Sequence, residues 1–151
     1  MSQQIADLID GLDIFQELSY KELEVLSRYL GQSSVPKGEV IFNEGDPGSF
    51  MLILIEGRIS IYKSGENGRH LLSYEGKGRV IGEMALLDRE RRSAQCVADT
   101  ACEFLTINHE GLAKLAAECS PIAYRFMFSL ARLLSKRLRR TSGMLAEYLT
   151  D

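Results

Sequence analysis

The stretch from Gly82 to Ala98, GEMALLDRERRSAQCVA, sets out the parts of a phosphate site in order. Gly82 opens a short run, Glu83-Met84-Ala85-Leu86-Leu87, whose first backbone amides are free to donate to an anion. After a charged loop, Arg92 offers a planar, permanently charged fork that can hold two phosphate oxygens, and Ser93 adds a hydroxyl beside it. Small residues at Gly82, Ala85 and Ala94 leave room for a ligand to approach the backbone. Each residue alone also has a plain reading. Glu83 suits the positive end of any helix, and Arg92 ends a run of charges from Asp88 that solvent can accommodate. The ordered set is what favours a binding site.

The elements that must carry this set fall into three parts, 1–31, 32–110 and 111–151. From Ile5 to about Gly31 the spacing is helical, with Leu18, Leu23, Val25, Leu26 and Tyr29 on an apolar side and Ser19 as a cap before Lys21-Glu22. This predicts a short helix on a barrel end. From Val35 to Ile107 the period falls toward two. Turn residues recur at Pro36-Lys37-Gly38, Gly45-Asp46-Pro47-Gly48, Glu56-Gly57, Gly65-Glu66-Asn67-Gly68 and Gly76-Lys77-Gly78, which predicts a jelly-roll-like β-barrel. The fold class is therefore mainly β with flanking helices.

A long C-terminal helix starts at the Ser120-Pro121 cap and runs almost to Leu149, with Gly143 as its interior weak point. At ~1.5 Å per residue it extends on the order of 40 Å, more than a small barrel can cover. Ile122, Phe126, Leu130, Leu133, Leu134, Leu138, Leu145 and Tyr148 fall near heptad spacing. A helix pair across a homodimer would bury that stripe economically, while its first turns pack on their own barrel.

GEMALL followed by RRSA closely resembles the phosphate-binding cassette of cyclic-nucleotide-binding domains, as found in catabolite activator proteins and in regulatory subunits of cyclic-AMP-dependent kinase. FNEGDPGSFMLILIEGRISIY, Phe42 to Tyr62, resembles the family's glycine-punctuated hairpins, and LLSYEGKGRVIGE, Leu71 to Glu83, resembles the strand and turn before its cassette. The resemblance covers the chain from about Asp13 onward. It implies that Glu83 accepts from a ribose 2'-hydroxyl, that Arg92 and Ser93 neutralise a cyclic phosphate, and that amides around Ala85 and Ala94 add donors. Ile61, Leu72 and Met84 then match the residues lining the base or sugar.

KRLRRTSGMLAEY, Lys136 to Tyr148, resembles the dimer helix of catabolite activator proteins, so Thr141 and Ser142 match an adjacent threonine and serine that meet the purine. The implied ligand is cyclic AMP or cyclic GMP, with Thr141-Ser142 favouring cyclic AMP. Two departures stand in the cassette. Arg91 replaces a frequent proline, and Gln95-Cys96 replaces a small hydroxyl or aromatic residue followed by valine. Neither removes a phosphate contact.

At 151 residues the chain can bury roughly two thirds of its unfolded surface as one domain. A net charge of -3 and a pI near 5.5 give no overall footprint for nucleic acid. No signal segment or bilayer-length apolar run occurs, so the cytoplasm is the expected location and no membrane is expected as partner. Cys96, Cys102 and Cys119 lack zinc spacing and read as free, mostly buried thiols, and His70 and His109 are too few and too separated for a metal-binding cupin. No metal is expected.

The chain ends at Asp151 without a helix-turn-helix, so sequence-specific DNA binding is not expected of it. The basic cluster Arg132, Lys136, Arg137, Arg139 and Arg140 reads first as a solvated face, with nucleic acid or anionic lipid as alternatives. An enzyme is disfavoured, since no P-loop, nucleophile elbow or histidine-carboxylate cluster is present. The expected function is a stand-alone cyclic-nucleotide sensor that signals through its C-terminal helix to an unnamed downstream protein. The alternative is a ligand-free dimerisation or interaction module on the same fold.

Overall fold

The computed structural model describes residues 2–150, with side chains described for all of these except 2, 3, 85 and 148–150. The N-terminal part forms short helical pieces: α1 (Ser2–Ile9), a 3-10 turn (Asp13–Phe15) and α2 (Tyr20–Ser27). Gly11, at φ 89°, ends the first piece in a conformation that costs other residues more. Ser19 starts α2 through a full capping box: its hydroxyl accepts from the Glu22 amide, and Glu22 accepts from the Ser19 amide at 2.9 Å.

The barrel follows as β1 (Gly31–Val35), β2 (Val40–Phe42), β3 (Phe50–Glu56), β4 (Ile59–Gly65), β5 (Gly68–Glu75) and β6 (Val80–Ile81), then α3 (Glu83–Asp88), β7 (Gln95–Ala98) and β8 (Cys102–Asn108). The strands pair antiparallel in two four-stranded sheets, β1-β8-β3-β6 and β2-β7-β4-β5. This is the expected jelly-roll-like sandwich. At the predicted turn before β4, a Cβ on Gly57 would stand 2.3 Å from the Ala101 carbonyl oxygen, so the chain crossing there requires glycine.

Strand β3 reads as an unbroken apolar run because both of its faces are covered. Leu52 and Leu54 join Phe42, Ile59, Ile81, Cys96 and Phe104 between the sheets, while Met51, Ile53 and Ile55 join the helices in a second cluster. That second cluster takes in Phe15, Leu23 and Leu26, Leu115 of α4 (His109–Glu118), and Phe126 and Leu130 of α5 (Ser120–Thr150). All three cysteines are free, with Cys96 and Cys102 buried.

The predicted heptad stripe of α5 is divided by this packing. Phe126 and Leu130 are buried and Ile122 and Leu133 pack against the same core, so they are committed to their own barrel. Leu138 and Leu145 are exposed, and the Tyr148 side chain lies outside the described residues. The residues left outward repeat at three- and four-residue steps on a neighbouring line: Tyr124, Phe128, Ala131, Ser135, Leu138, Ser142 and Leu145, each of them exposed. Two ion pairs, Glu22 with Arg125 and Glu17 with Arg132, tie the N-terminal pieces to the first half of α5. Among the described residues, no helix is long and apolar enough to cross a membrane.

Candidate functional site

Gly82 joins β6 to α3 at φ 84°, and a Cβ there would lie 2.2 Å from Nη1 of Arg92 and 3.2 Å from the Phe50 carbonyl oxygen. Glycine is required on both counts, the backbone conformation and the arginine that fills the missing side chain's space. Arg92 is held from its own backbone outward. Its amide donates to the Asp46 carbonyl at 2.8 Å and its carbonyl accepts from the Gly45 amide at 2.8 Å, which moors it to the predicted turn before β3.

The Arg92 guanidinium lies over the rings of Phe42 and Phe50, 4.0 and 4.8 Å from their centroids. Nη1 donates to the Gly82 carbonyl at 3.4 Å and Nη2 to the Phe50 carbonyl. Arg92 is only 4% exposed, and among the described residues no carboxylate pairs with it. Its buried Nε has no partner. Burial lowers the arginine's pKa from the usual value, against raising influences from Cys96, Asp46 and Glu83. The adjacent Cys96 thiol is pushed up to about 12 by its own burial. That leaves Cys96 a neutral wall residue rather than a countercharge.

These residues border a cavity of about 500 Å³, within the usual range for small-molecule sites. Gly82, Glu83, Met84, Arg92, Ser93 and Ala94 line it from the cassette, and Ile61 of β4 and Leu72 of β5 line it from the facing hairpin. Leu72 is 57% and Met84 63% exposed, so the apolar walls stand open to solvent. Leu72 reaches this wall because β5 has a bulge there: Ile61 pairs with Ser73 but Tyr62 with Leu71, and the extra residue falls between them. The Ala85 side chain lies outside the described residues.

The cassette departures have local partners. Arg91 donates from Nη1 to the Gly45 carbonyl at 2.9 Å, while Gln95 turns outward to Asn43 and Arg69, both at 2.8 Å. Lys63 holds the exposed Ser93 in place through its carbonyl at 2.7 Å.

Thr141 and Ser142 are not brought to the cavity. Both are exposed on α5, and the Thr141 hydroxyl donates back to the Arg137 carbonyl at 3.0 Å, satisfying itself within the helix. Arg137, one turn earlier, enters instead. It pairs with the buried Glu83 through Nη1, donates from Nη2 to the Val80 carbonyl at 3.0 Å, and leaves a buried Nε unpaired. The solvated-face reading of the basic cluster therefore fails for Arg137, while Arg132 is exposed and pairs with the exposed Glu17 at the surface. Lys136, Arg139 and Arg140 are exposed. Sequence reasoning had a signal for Arg137, since it shares a helical face with Thr141 four residues on. Glu75 and Arg79 also line the cavity, paired with each other at 2.6 Å, and were not singled out.

Of the charged residues lining the cavity, Glu75 pairs with Arg79 and Glu83 with Arg137, Asp88, Glu90 and Arg91 are exposed, and the buried guanidinium of Arg92 has no ion-pair partner among the described residues. A buried guanidinium without an ion pair, beside apolar walls, suits an anion that carries a flat apolar group.

A two-sheet sandwich with a glycine-gated arginine at the end of one strand defines a binding domain of the cyclic-nucleotide type. The cyclic nucleotide-binding domain family matches residues 32–119, and this chain belongs to that family. It is 31% identical over 130 residues to the cyclic AMP receptor protein of Thermus thermophilus, covering 85% of this chain and 58% of the relative. It is 28% identical over 142 residues to the CRP-like cAMP-activated global transcriptional regulator of Mycobacterium tuberculosis, covering 93% of this chain and 62% of that protein. The chain therefore spans about three fifths of these relatives' length. A cyclic nucleotide-binding domain from Methylobacillus flagellatus superposes with a TM-score of 0.83 at 26% identity, covering 96% of this chain and 82% of that one.

Proposed function

We propose that this chain is a regulatory sensor that binds a purine cyclic mononucleotide, adenine preferred, and passes occupancy through α5 to a downstream protein. The observation that carries the reading is Arg92: a buried guanidinium with no carboxylate partner among the described residues, an unpaired Nε, and a glycine that gives it room. A buried charge without a countercharge is costly, and a phosphodiester monoanion supplies the missing one. In this reading Ser93 and the amides near Ala85 and Ala94 share the phosphate, Ile61, Leu72 and Met84 cover the base and sugar, and Glu83 takes the ribose hydroxyl. The two relatives named for cyclic AMP support adenine as the base.

Arg137 makes α5 part of the site. A ribose hydroxyl donating to Glu83 competes with or joins its pair with Arg137, so occupancy alters the free energy of the α5 position. The exposed line from Tyr124 to Leu145 is suited to a second copy of the helix, giving a homodimer in which that position is read out. The domain carries no assigned catalytic residue, and a cytoplasmic location fits the reading.

Isothermal titration with cyclic AMP and cyclic GMP, with Arg92→Ala as control, tests this directly. Micromolar or tighter binding that the variant abolishes is the expected result. No heat from either nucleotide, with no change in thermal unfolding, favours the second reading: a ligand-free dimerisation module, supported by the same exposed α5 line. Conversion of cyclic AMP to the monophosphate above a boiled control would overturn the non-enzymatic assignment.

A further inference from the structure

We infer that Glu75 selects the base, its carboxylate accepting from the 6-amino group of adenine and opposing the 6-carbonyl of guanine. The inference rests on the cyclic-nucleotide reading above and adds a specificity residue to it.

Glu75 faces inward by register. It pairs with Ile59 across β4 and β5, and Ser73 pairs with Ile61, so both share the inner face with those two isoleucines. Ile59 is fully buried and Ile61 lines the cavity, so a carboxylate on that face stands beside apolar side chains. It is held there rather than left to find solvent. Oε1 accepts from the Ser73 hydroxyl at 3.2 Å and Oε2 from Nε of Arg79 at 2.6 Å. The Glu75 side chain is 16% exposed and that of Arg79 is 41%, so the acid is the inner member and the arginine its outer support.

An ionised carboxylate has about four acceptor positions, and these two bonds leave about two of them unfilled on a residue that lines the cavity. An acceptor placed against C6, rather than against the N1–H and 2-amino donors of guanine, distinguishes the purines at that atom. Adenine presents a donor at C6, which a carboxylate takes in a charge-assisted hydrogen bond. Guanine presents a carbonyl there, and two acceptors facing each other in a partly dry site lose their water without gaining a bond. Because Ile61 and Leu72 cover a flat ring without reading its edge, the inward-facing Glu75 on the same hairpin is placed to read it.

The test uses the wild-type protein first, titrated with cyclic AMP, cyclic GMP and cyclic IMP. Cyclic IMP replaces the 6-amino group by oxygen without adding guanine's 2-amino group. Cyclic IMP and cyclic GMP are each expected to bind on the order of tenfold more weakly than cyclic AMP. Glu75→Gln keeps the shape and turns an NH2 toward a carbonyl, so it should bring all three to within about threefold. A purely structural Glu75–Arg79 pair would change the unfolding temperature and leave the ratio of affinities alone.

Equal binding of cyclic IMP and cyclic AMP to the wild type, a wild-type preference for guanine, or an unchanged ratio in Glu75→Gln each overturns the assignment. The wild-type comparison stands whether or not the variant folds. Binding of no cyclic nucleotide at all by the wild type would instead bring down the sensor reading, and this inference with it.

Discussion

Arg137, near the middle of α5, reaches the buried carboxylate of Glu83 at the start of α3, 54 residues away in sequence, and so joins the cavity to the helix that leaves the barrel. Glu83 is 5% exposed, so the pair is largely withdrawn from water. Removing one partner of such a pair costs more than removing both. Arg137→Ala should lower stability by about 2 kcal/mol or more, and the double variant Glu83→Gln/Arg137→Ala should lose less than the sum of the singles. Urea denaturation of all four proteins measures this. Strict additivity would mean the pair contributes nothing.

Arg92 has the opposite relation to stability. Its charge is buried without a carboxylate, so Arg92→Met, which keeps the apolar stem and contacts the rings of Phe42 and Phe50, should unfold no earlier than wild type. Nucleotide affinity should fall by about 3 kcal/mol or more in the same variant. Differential scanning calorimetry beside titration separates the two, and a variant that merely unfolds early would contradict this account.

Gly82→Ala introduces both backbone strain at φ 84° and a Cβ inside the space of the Arg92 guanidinium. Strain alone costs about 1–2 kcal/mol, and the added carbon displaces the guanidinium from its place at the Gly82 and Phe50 carbonyls. Reduced stability together with lost nucleotide binding is expected. Gly38→Ala, also at positive φ but with open space around the added carbon, should cost the strain and leave binding intact.

The capping box of α2 makes stability depend on acid. The backbone amide of Ser19, with Arg125, holds the Glu22 carboxyl below its ordinary value of 4.5. A depressed carboxyl contributes stability that is fully present above its unfolded pKa and is lost as pH falls through the folded one. Wild type should therefore lose stability below about pH 4.5 more steeply than Glu22→Gln, as read from thermal unfolding across pH 3–6. Ser19→Ala, tested at neutral pH, should cost about 1 kcal/mol.

Leu138 is 67% exposed, whereas Phe126, three turns earlier on α5, is fully buried. Leu138→Glu should convert a homodimer to monomer in sedimentation while leaving thermal unfolding of the barrel nearly unchanged. Phe126→Ala should cost about 3–5 kcal/mol whatever the oligomeric state. A wild type that sediments as a monomer would dispose of the dimer.

The glycine turns were legible because positive φ has few chemical solutions, and Gly38, Gly45, Gly57, Gly68 and Gly78 all adopt it. Ser19 was legible for a similar reason, as capping is decided within four residues. The cassette could be read as well, since Gly82, Glu83 and Arg92 lie close in sequence and meet across one short turn. The boundaries of the short N-terminal pieces were less legible, because apolar periodicity alone does not register the break at Gly11.

Local order in the sequence therefore determined the turns, the caps, the alternation that makes two sheets, and the presence of an arginine beside a glycine that yields it space. Only the tertiary structure decided which α5 residues belong to the barrel and which remain outside, because helical spacing offers two neighbouring lines and the shape of the core selects one. It also decided that Arg137 rather than Thr141 enters the cavity, and that Glu75 faces inward. Those facts depend on the angle at which α5 crosses the barrel and on the register between β4 and β5. Both are set by packing between segments that are distant in the chain.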